Sequence, residues 1–258
     1  HVMWNRPDVD FIQSQDLPWQ PVPEGEFGFA QGGLKKVLSR DATDGAETAL
    51  VRLTGRHRGV LASAVDIYVL SGEGVLDGEP LKVNDYVYAK AGTEIDLTAS
   101  PRGLVLYCGF WGAPGFASGT GSGEPLLRIA TERIPWVPAG WSGEVRLEPG
   151  AMSKVLRHDD TAYIYLAAML SGWKSPMEEA HPVYEESFKI YGDVLMGPLG
   201  VMRAGGYFFR SPDVFHGPLY SRGGTMSFIR SDAAPTTEYR TPGPGGRWDE
   251  LSESAYAD

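Results

Sequence analysis

The chain is predicted to be all-β, built from two copies of one β-barrel module joined by a glycine-rich linker. Three observations lead there. Among 258 residues, 33 are glycine and 19 proline, with 11% aromatics, a balance that favours short strands and turns over long helices. From Leu34 to Gly112, short alternating or apolar runs follow one another between turn residues, among them Thr48-Ala49-Leu50-Val51-Arg52-Leu53, Ile67-Tyr68-Val69-Leu70 and Asp85-Tyr86-Val87-Tyr88. Beyond residue 125 the same succession of local patterns begins again.

Taken in order, residues 3–112 form the first module, and His1-Val2 ahead of Met3 is left out of the fold. Its opening stretch is polar and irregular, ending in Leu17-Pro18-Trp19-Gln20-Pro21. Residues 113–125, rich in Gly, Ser and Ala, are too small and polar to pack alone and read as a linker. Residues 126–232 form the second module, and 233–258 an extended tail that includes Thr241-Pro242-Gly243-Pro244-Gly245-Gly246.

The duplication rests on five echoes in the same order. Ile134-Pro135-Trp136-Val137-Pro138 repeats Leu17-Pro18-Trp19-Gln20-Pro21, and Lys154-Val155-Leu156 with Asp159 or Asp160 repeats Lys36-Val37-Leu38 with Asp41. Leu170-Ser171-Gly172 repeats Leu53-Thr54-Gly55. Lys189-Ile190-Tyr191-Gly192-Asp193 repeats Val69-Leu70-Ser71-Gly72-Glu73, and Tyr207 to His216 repeats Tyr86 to Ile95.

The two halves then serve as each other's control. Counting back from the shared glycine, Glu179, His181 and Glu185 fall on Gly59, Leu61 and Val65, while His216 falls on Ile95. Four residues able to ligate a metal thus stand where the first copy has none, which predicts one metal site, in the second module only. Neighbouring Glu178 or Glu186 replaces a proposed carboxylate if the strand register slips by one. Ser187 and Lys189 share a strand face with Glu185 and replace Ile67 and Val69 of an apolar stripe. Two readings stand for Lys189: the floor of an open polar cavity, or a strand end whose amine reaches solvent. Arg210 replaces Ala89 and, with Arg222 nearby, is a candidate clamp for a substrate carboxylate or enolate, or else a surface ion pair. Tyr184, Tyr207 and Phe215 cluster in sequence about the ligands, as do Trp173, Phe209 and Tyr220; they are candidate pocket walls, or ordinary core.

Two imidazoles and two carboxylates without thiolate exclude a cysteine-rich structural zinc site and suit a divalent ion, Fe(II) or Mn(II) ahead of Ni(II) or Zn(II). The lone cysteine, Cys108, lies in an apolar run and reads as core packing. His57, in a basic loop, and His158, in a polar turn, lack ligand spacing and read as solvated. A net charge of −10 without a Lys/Arg-rich run argues against nucleic acid and anionic membranes as partners. No stretch approaches a membrane span, no signal-peptide pattern is present, and a single cysteine fits a reducing compartment, so a cytoplasmic location is expected.

These residues resemble the cupin superfamily, specifically its bicupins. Glu179-x-His181-x(3)-Glu185-x(6)-Gly192 is similar to the first cupin motif, with Glu179 in place of the first histidine, and Gly206 through Pro212 to His216 is similar to the second. The resemblance covers roughly residues 34–112 and 150–232 and implies two jelly-roll (double-stranded β-helix) barrels. The surroundings Arg210-Ser211-Pro212 and His216-Gly217-Pro218 resemble cupins related to the metal-binding domain of ChrR-type anti-sigma factors. The family's usual shell of three histidines and one glutamate is met here by two and two. Cupins host many activities. The expectation is a non-haem Fe(II) dioxygenase for a small enolisable or aromatic substrate, with Lys189 and Arg210 catalytic and Tyr184, Ser187, Tyr207 and Phe215 binding substrate. The alternatives are a redox-neutral lyase, isomerase or hydrolase, and a metal-dependent small-molecule sensor. A homodimer is a further expectation from the resemblance.

Overall fold

The computed structural model describes residues 4–23, 33–139, 150–247, 249–251 and 253, so His1-Val2 and the end of the tail lie outside the described residues. Two compact units divide the chain: Met3–Pro7 with Leu17–Ile134, and Asp8–Asp16 with Pro135–Asp258. No helix of the described residues is long and apolar enough to cross a membrane.

Each unit contains one large antiparallel sheet, and seven strands in each follow the same order; Glu178–Ala180 and Glu238–Arg240 pair apart from these as a two-stranded sheet. In the unit of the first repeat the order is Leu127–Ala130, Asp85–Ala89, Val65–Leu76, Glu94–Phe110, Glu47–Leu61, Leu34–Arg40, Gln20–Pro21. In the other it is Val9–Gln13, Gly206–Arg210, Glu185–Met196, Thr225–Ser231, Tyr163–Met169, Ala151–His158, Val137–Pro138. Two of the irregularities coincide. The register shifts between Val37 and Ser39 against Glu47–Leu61, and between Val155 and Arg157 against Tyr163–Met169. It shifts again between Val69 and Ser71, and between Lys189 and Tyr191. The shared glycine has a physical cause. Gly72 and Gly192 have φ of 80° and 75°, and a Cβ on either would run into the carbonyl oxygen of Gly103 or Gly224.

The sequence echoes also resolve into contacts. The Trp-Pro and Lys-Val-Leu repeats meet as cation–π pairs, with Lys36 Nζ 4.8 Å from the Trp19 ring centroid and Lys154 Nζ 4.6 Å from that of Trp136. One echo is out by a residue. Ala167 pairs with Ser227 as Val51 pairs with Leu106, so Met169, and not Leu170, matches Leu53.

Three features differ from the expected boundaries. The edge strands are exchanged: Val9–Gln13, ahead of the first repeat, pairs with Gly206–Arg210, whereas Leu127–Ala130, ahead of the second, pairs with Asp85–Ala89. Within the expected linker, Phe116–Ala117 pairs with Val60–Leu61. Within the expected loose tail, Glu238–Arg240 pairs with Glu178–Ala180.

The interiors of the two barrels differ as the repeat comparison predicts. Ala49, Val51, Val65, Ile67, Val69, Ala89, Ile95 and Leu106 all belong to one buried apolar cluster in the first. Phe116 packs on that cluster, and its ring fills the space beside Gly59 so fully that a Cβ there would overlap it. In the second barrel the matched positions are Tyr165, Ala167, Glu185, Ser187, Lys189, Arg210, His216 and Ser227, and all eight line a cavity. His57 is 3% exposed, not solvated as its basic neighbours suggested; the strand Glu47–Leu61 carries it inward, and its Nε2 meets the Thr54 carbonyl at 2.7 Å. Cys108 is buried in the apolar cluster, as read.

Candidate metal centre

Glu179 lies mid-strand in Glu178–Ala180 and forms an isolated bridge with His216, each accepting the other's N–H at 2.8 and 2.9 Å. His181 follows that strand directly, and Glu185 begins the strand Glu185–Met196. One donor atom from each of Glu179, His181 and His216 falls within 4.8 Å of the others. Glu179 Oε1 is 3.4 Å from His216 Nε2 and 4.0 Å from His181 Nε2, and Glu185 Oε2 approaches His181 Nε2 at 3.8 Å. Neighbouring ligands of an ion held at about 2.0–2.2 Å lie roughly 3–3.5 Å apart, and the Glu179–His216 pair already stands in that range. The donors are nitrogen and oxygen only, which suits a divalent ion with open positions and not a thiolate-loving one. The residues present fit a mononuclear ion.

The histidines are held with Nε2 toward the cluster. His181 Nδ1 lies 2.9 Å from the carbonyl of Thr236 and 3.3 Å from Thr237 Oγ1. An N–H donated to that carbonyl fixes the tautomer and leaves the Nε2 lone pair for a metal. His216 Nδ1 is 3.3 Å from the Val214 carbonyl. The support for His181 comes from the tail, which is pinned further on: Arg240 pairs with Glu178 at 2.5 Å and stacks over the Phe215 ring at 4.1 Å. One guanidinium thus touches both residues that precede the bridged ligands Glu179 and His216.

Inward from this cluster is a cavity of about 50 Å³. Its far wall is apolar, with Val194, Met196, Met202, Phe208, Leu219 and Ile229. Lys189 is 3% exposed and donates to Ser227 Oγ at 2.8 Å. Burial lowers its pKa to about 7, against a raising influence from Asp193. Lys189 thus lines the cavity with its amine buried and does not reach solvent as a strand-end lysine would. Arg210 stacks on Phe208 at 3.7 Å, and its Nη1 lies 3.9 Å from Glu185 Oε1. Burial lowers its pKa to about 10, with Glu185 and Glu179 opposing, so it remains a cation. Its Nη2 is buried without a hydrogen-bond partner. Tyr165 is pushed well above the usual tyrosine pKa by burial first and by Glu185 next, and it stays a neutral phenol.

Of the expected substrate-binding residues, Ser187 lines the cavity and Tyr184, Tyr207 and Phe215 do not. Tyr207 is one residue from Phe208 and so faces the other side of its strand, donating to Glu186 Oε2 at 2.5 Å. Tyr184 packs against Phe209, with ring centroids 6.2 Å apart, and Phe215 is stacked under Arg240. Glu186 is held by Tyr207 and Arg230, and Glu178 by Arg240, and neither is among the residues lining the cavity. Tyr165 and Ser227 were missed, although their repeat partners Ala49 and Leu106 carried the same signal.

No family model and no curated protein matches the chain. Solved structures do. A protein from Nostoc punctiforme, provisionally named a dioxygenase, superposes with a TM-score of 0.74 at 17% identity, over 94% of this chain and 89% of that one. Oxalate decarboxylase from Bacillus subtilis superposes at 0.56 and 12% identity, over 89% and 78%. Both are cupin-superfamily structures. The fold is that of a bicupin. A third such structure, from Pseudomonas aeruginosa and provisionally named glyoxylate-induced, superposes at 0.63 and 12% identity over 86% and 88%. Within this fold one barrel holds a donor cluster and the other is filled by apolar side chains.

Proposed function

We propose that the chain is a metal-dependent enzyme, a non-haem Fe(II) dioxygenase whose active site is the second barrel. The observation that carries the reading is the convergence of Glu179, His181 and His216 at the mouth of a buried cavity that also holds Lys189 and Arg210. Bound there, Fe(II) would supply Lewis acidity toward a substrate oxygen and electrons toward O₂. Glu179, His181, Glu185 and His216 would hold the ion; Mn(II), Ni(II) and Zn(II) suit the same donors.

The cavity volume supports the smaller of the two substrate classes. About 50 Å³ is a third of the roughly 150 Å³ apolar cavity that accepts a benzene ring, so a compact enolisable compound is favoured over an aromatic one. Lys189, with a pKa of about 7, is near half-neutral at physiological pH and can take a proton from the substrate. Arg210, a cation stacked on Phe208, balances the charge that develops. Met196, Met202 and Leu219 keep water out of the far end.

Anaerobic loading with Fe(II), followed by oxygen uptake with short β-diketones and α-hydroxyketones, tests the reading. Uptake that requires both metal and substrate supports it. Carbon–hydrogen exchange without uptake favours the redox-neutral alternative, which the poised amine of Lys189 also suits. Metal bound with neither uptake nor exchange leaves the sensor alternative.

A further inference from the structure

We propose that the second barrel receives its ligand as a compact anion, with the Arg210 guanidinium as the receiving donor and Lys189 as a second positive group. This rests on the reading that the cluster holds a divalent ion, and it deepens that reading by fixing the ligand's charge.

The first support is a charge count. The groups lining the cavity that carry formal charge are Glu179, Glu185, Lys189 and Arg210, two of each sign, beside two imidazoles. All four are at most 6% exposed. Without an ion the lining sums to zero, with Asp8 and Asp10 acting on Arg210 and Asp193 on Lys189 from outside it. A divalent ion brings it to +2, or to +1 where Lys189 is neutral. A buried net charge is costly when no counter-charge accompanies it. A monoanion or dianion restores the balance, and a neutral ligand does not.

The second support is independent of any ion. Arg210 Nη2 is buried and has no hydrogen-bond partner, although stacking on Phe208 fixes the plane of the guanidinium. Glu185, its cross-strand neighbour, stands 3.9 Å from Nη1, beyond hydrogen-bond reach, and so leaves the fork unspent. A planar donor fork held against a ring and left unfilled matches a carboxylate or enolate oxygen. The first barrel has Ala89 at this position and apolar residues throughout, so the guanidinium is not a requirement of the fold.

Cavity size limits the class. At roughly 10–15 Å³ per water, about 50 Å³ admits a ligand equivalent to three to five waters. Short carboxylates, or the enolates of small carbonyl compounds, meet both limits.

The test uses the whole chain loaded with Co(II), whose visible spectrum reports on ligands. Acetate and its neutral isostere acetamide are titrated into the wild-type protein and into Arg210→Gln, Arg210→Lys and Lys189→Met. Acetate is expected to bind at least about tenfold more tightly than acetamide, and to lose at least about tenfold in Arg210→Gln. Arg210→Lys, which keeps the charge without the fork, should fall between, and Lys189→Met should lose less than Arg210→Gln. Since any bound ion prefers a carboxylate to an amide, the Arg210 series is decisive. Equal acetate affinity in wild type and Arg210→Gln, both holding one Co(II), overturns the proposal. Failure of the wild-type protein to take up Co(II) overturns the metal reading and this proposal together, and is seen before any ligand is added.

Discussion

Glu179 and His216 are joined back to back, each main chain hydrogen-bonded to the other at 2.8 and 2.9 Å, while Glu179 Oε1 reaches to 3.4 Å from His216 Nε2. In the first repeat the same pairing joins Gly59 to Ile95. One backbone frame thus presents two metal donors in one copy and a glycine and a core isoleucine in the other.

The first prediction follows from that pair. His216→Ala removes a ligand and should abolish stoichiometric binding of a divalent ion, measured by elemental analysis and titration. Ile95→Ala, in the matched position, should leave metal content unchanged and cost about 2–5 kcal/mol of stability through the cavity it opens. Full metal occupancy in His216→Ala, or metal lost from Ile95→Ala, would contradict the assignment.

A second concerns Lys189 and pH. Burial lowers its pKa from 10.5 to about 7, so between those values the unfolded chain binds more protons than the folded one, and this group's contribution to stability rises with pH. Below about pH 7 the buried ammonium is destabilising in full. Lys189→Met should therefore raise the stability of the metal-free protein most at pH 6, by a few kcal/mol, and progressively less toward pH 10. Urea unfolding of both proteins at pH 6, 8 and 10 checks the sign; a gain that grows with pH refutes it.

The tail supplies a third. Arg240 bridges Glu178 and Phe215, the residues preceding two ligands, and the adjoining strand brings the Thr236 carbonyl to His181. Arg240→Ala should weaken metal binding about tenfold, the low end for a supporting contact, with a small change in the melting temperature of the metal-free protein. Arg240→Lys, which keeps the ion pair with Glu178, should recover part of the loss. Titration with Co(II) or Mn(II) measures both, and an unaltered affinity in Arg240→Ala would remove the tail from the site.

The exchanged edge strands give a fourth. Val9–Gln13 covers the strand that carries Arg210, and Asp8 accepts from Ser211 N and Oγ at 2.8 and 2.7 Å. A chain divided at Gly119 leaves each half short of its partner's edge strand. Neither half alone should unfold cooperatively, and mixing the two should restore the transition. Two independently cooperative halves, seen by calorimetry, would count against the exchange.

Much of this was legible because a duplicated chain carries its own comparison. Glu179, His181, Glu185 and His216 stood out against Gly59, Leu61, Val65 and Ile95, and the structure brings all four to the mouth of one cavity. Ser187 and Lys189 followed from strand alternation, and Arg210 from its contrast with Ala89. The same alternation sets Tyr207 on the opposite face from Arg210, and sequence proximity alone had grouped it with the pocket. The edge-strand exchange left no local trace, since Val9–Gln13 and Leu127–Ala130 have equivalent positions in their repeats and either could close either sheet. His57 was misjudged because a strand of 15 residues carries a basic segment back inside.

The tail's hold on His181 has a last consequence. The atom that orients the imidazole is a peptide oxygen of Thr236, which every amino acid possesses. Descendants of this gene can change residue 236 freely without disturbing the ring, provided the path of the chain survives. Letter-by-letter inspection of relatives would pass over that position, and only the shape of the backbone would betray what it does.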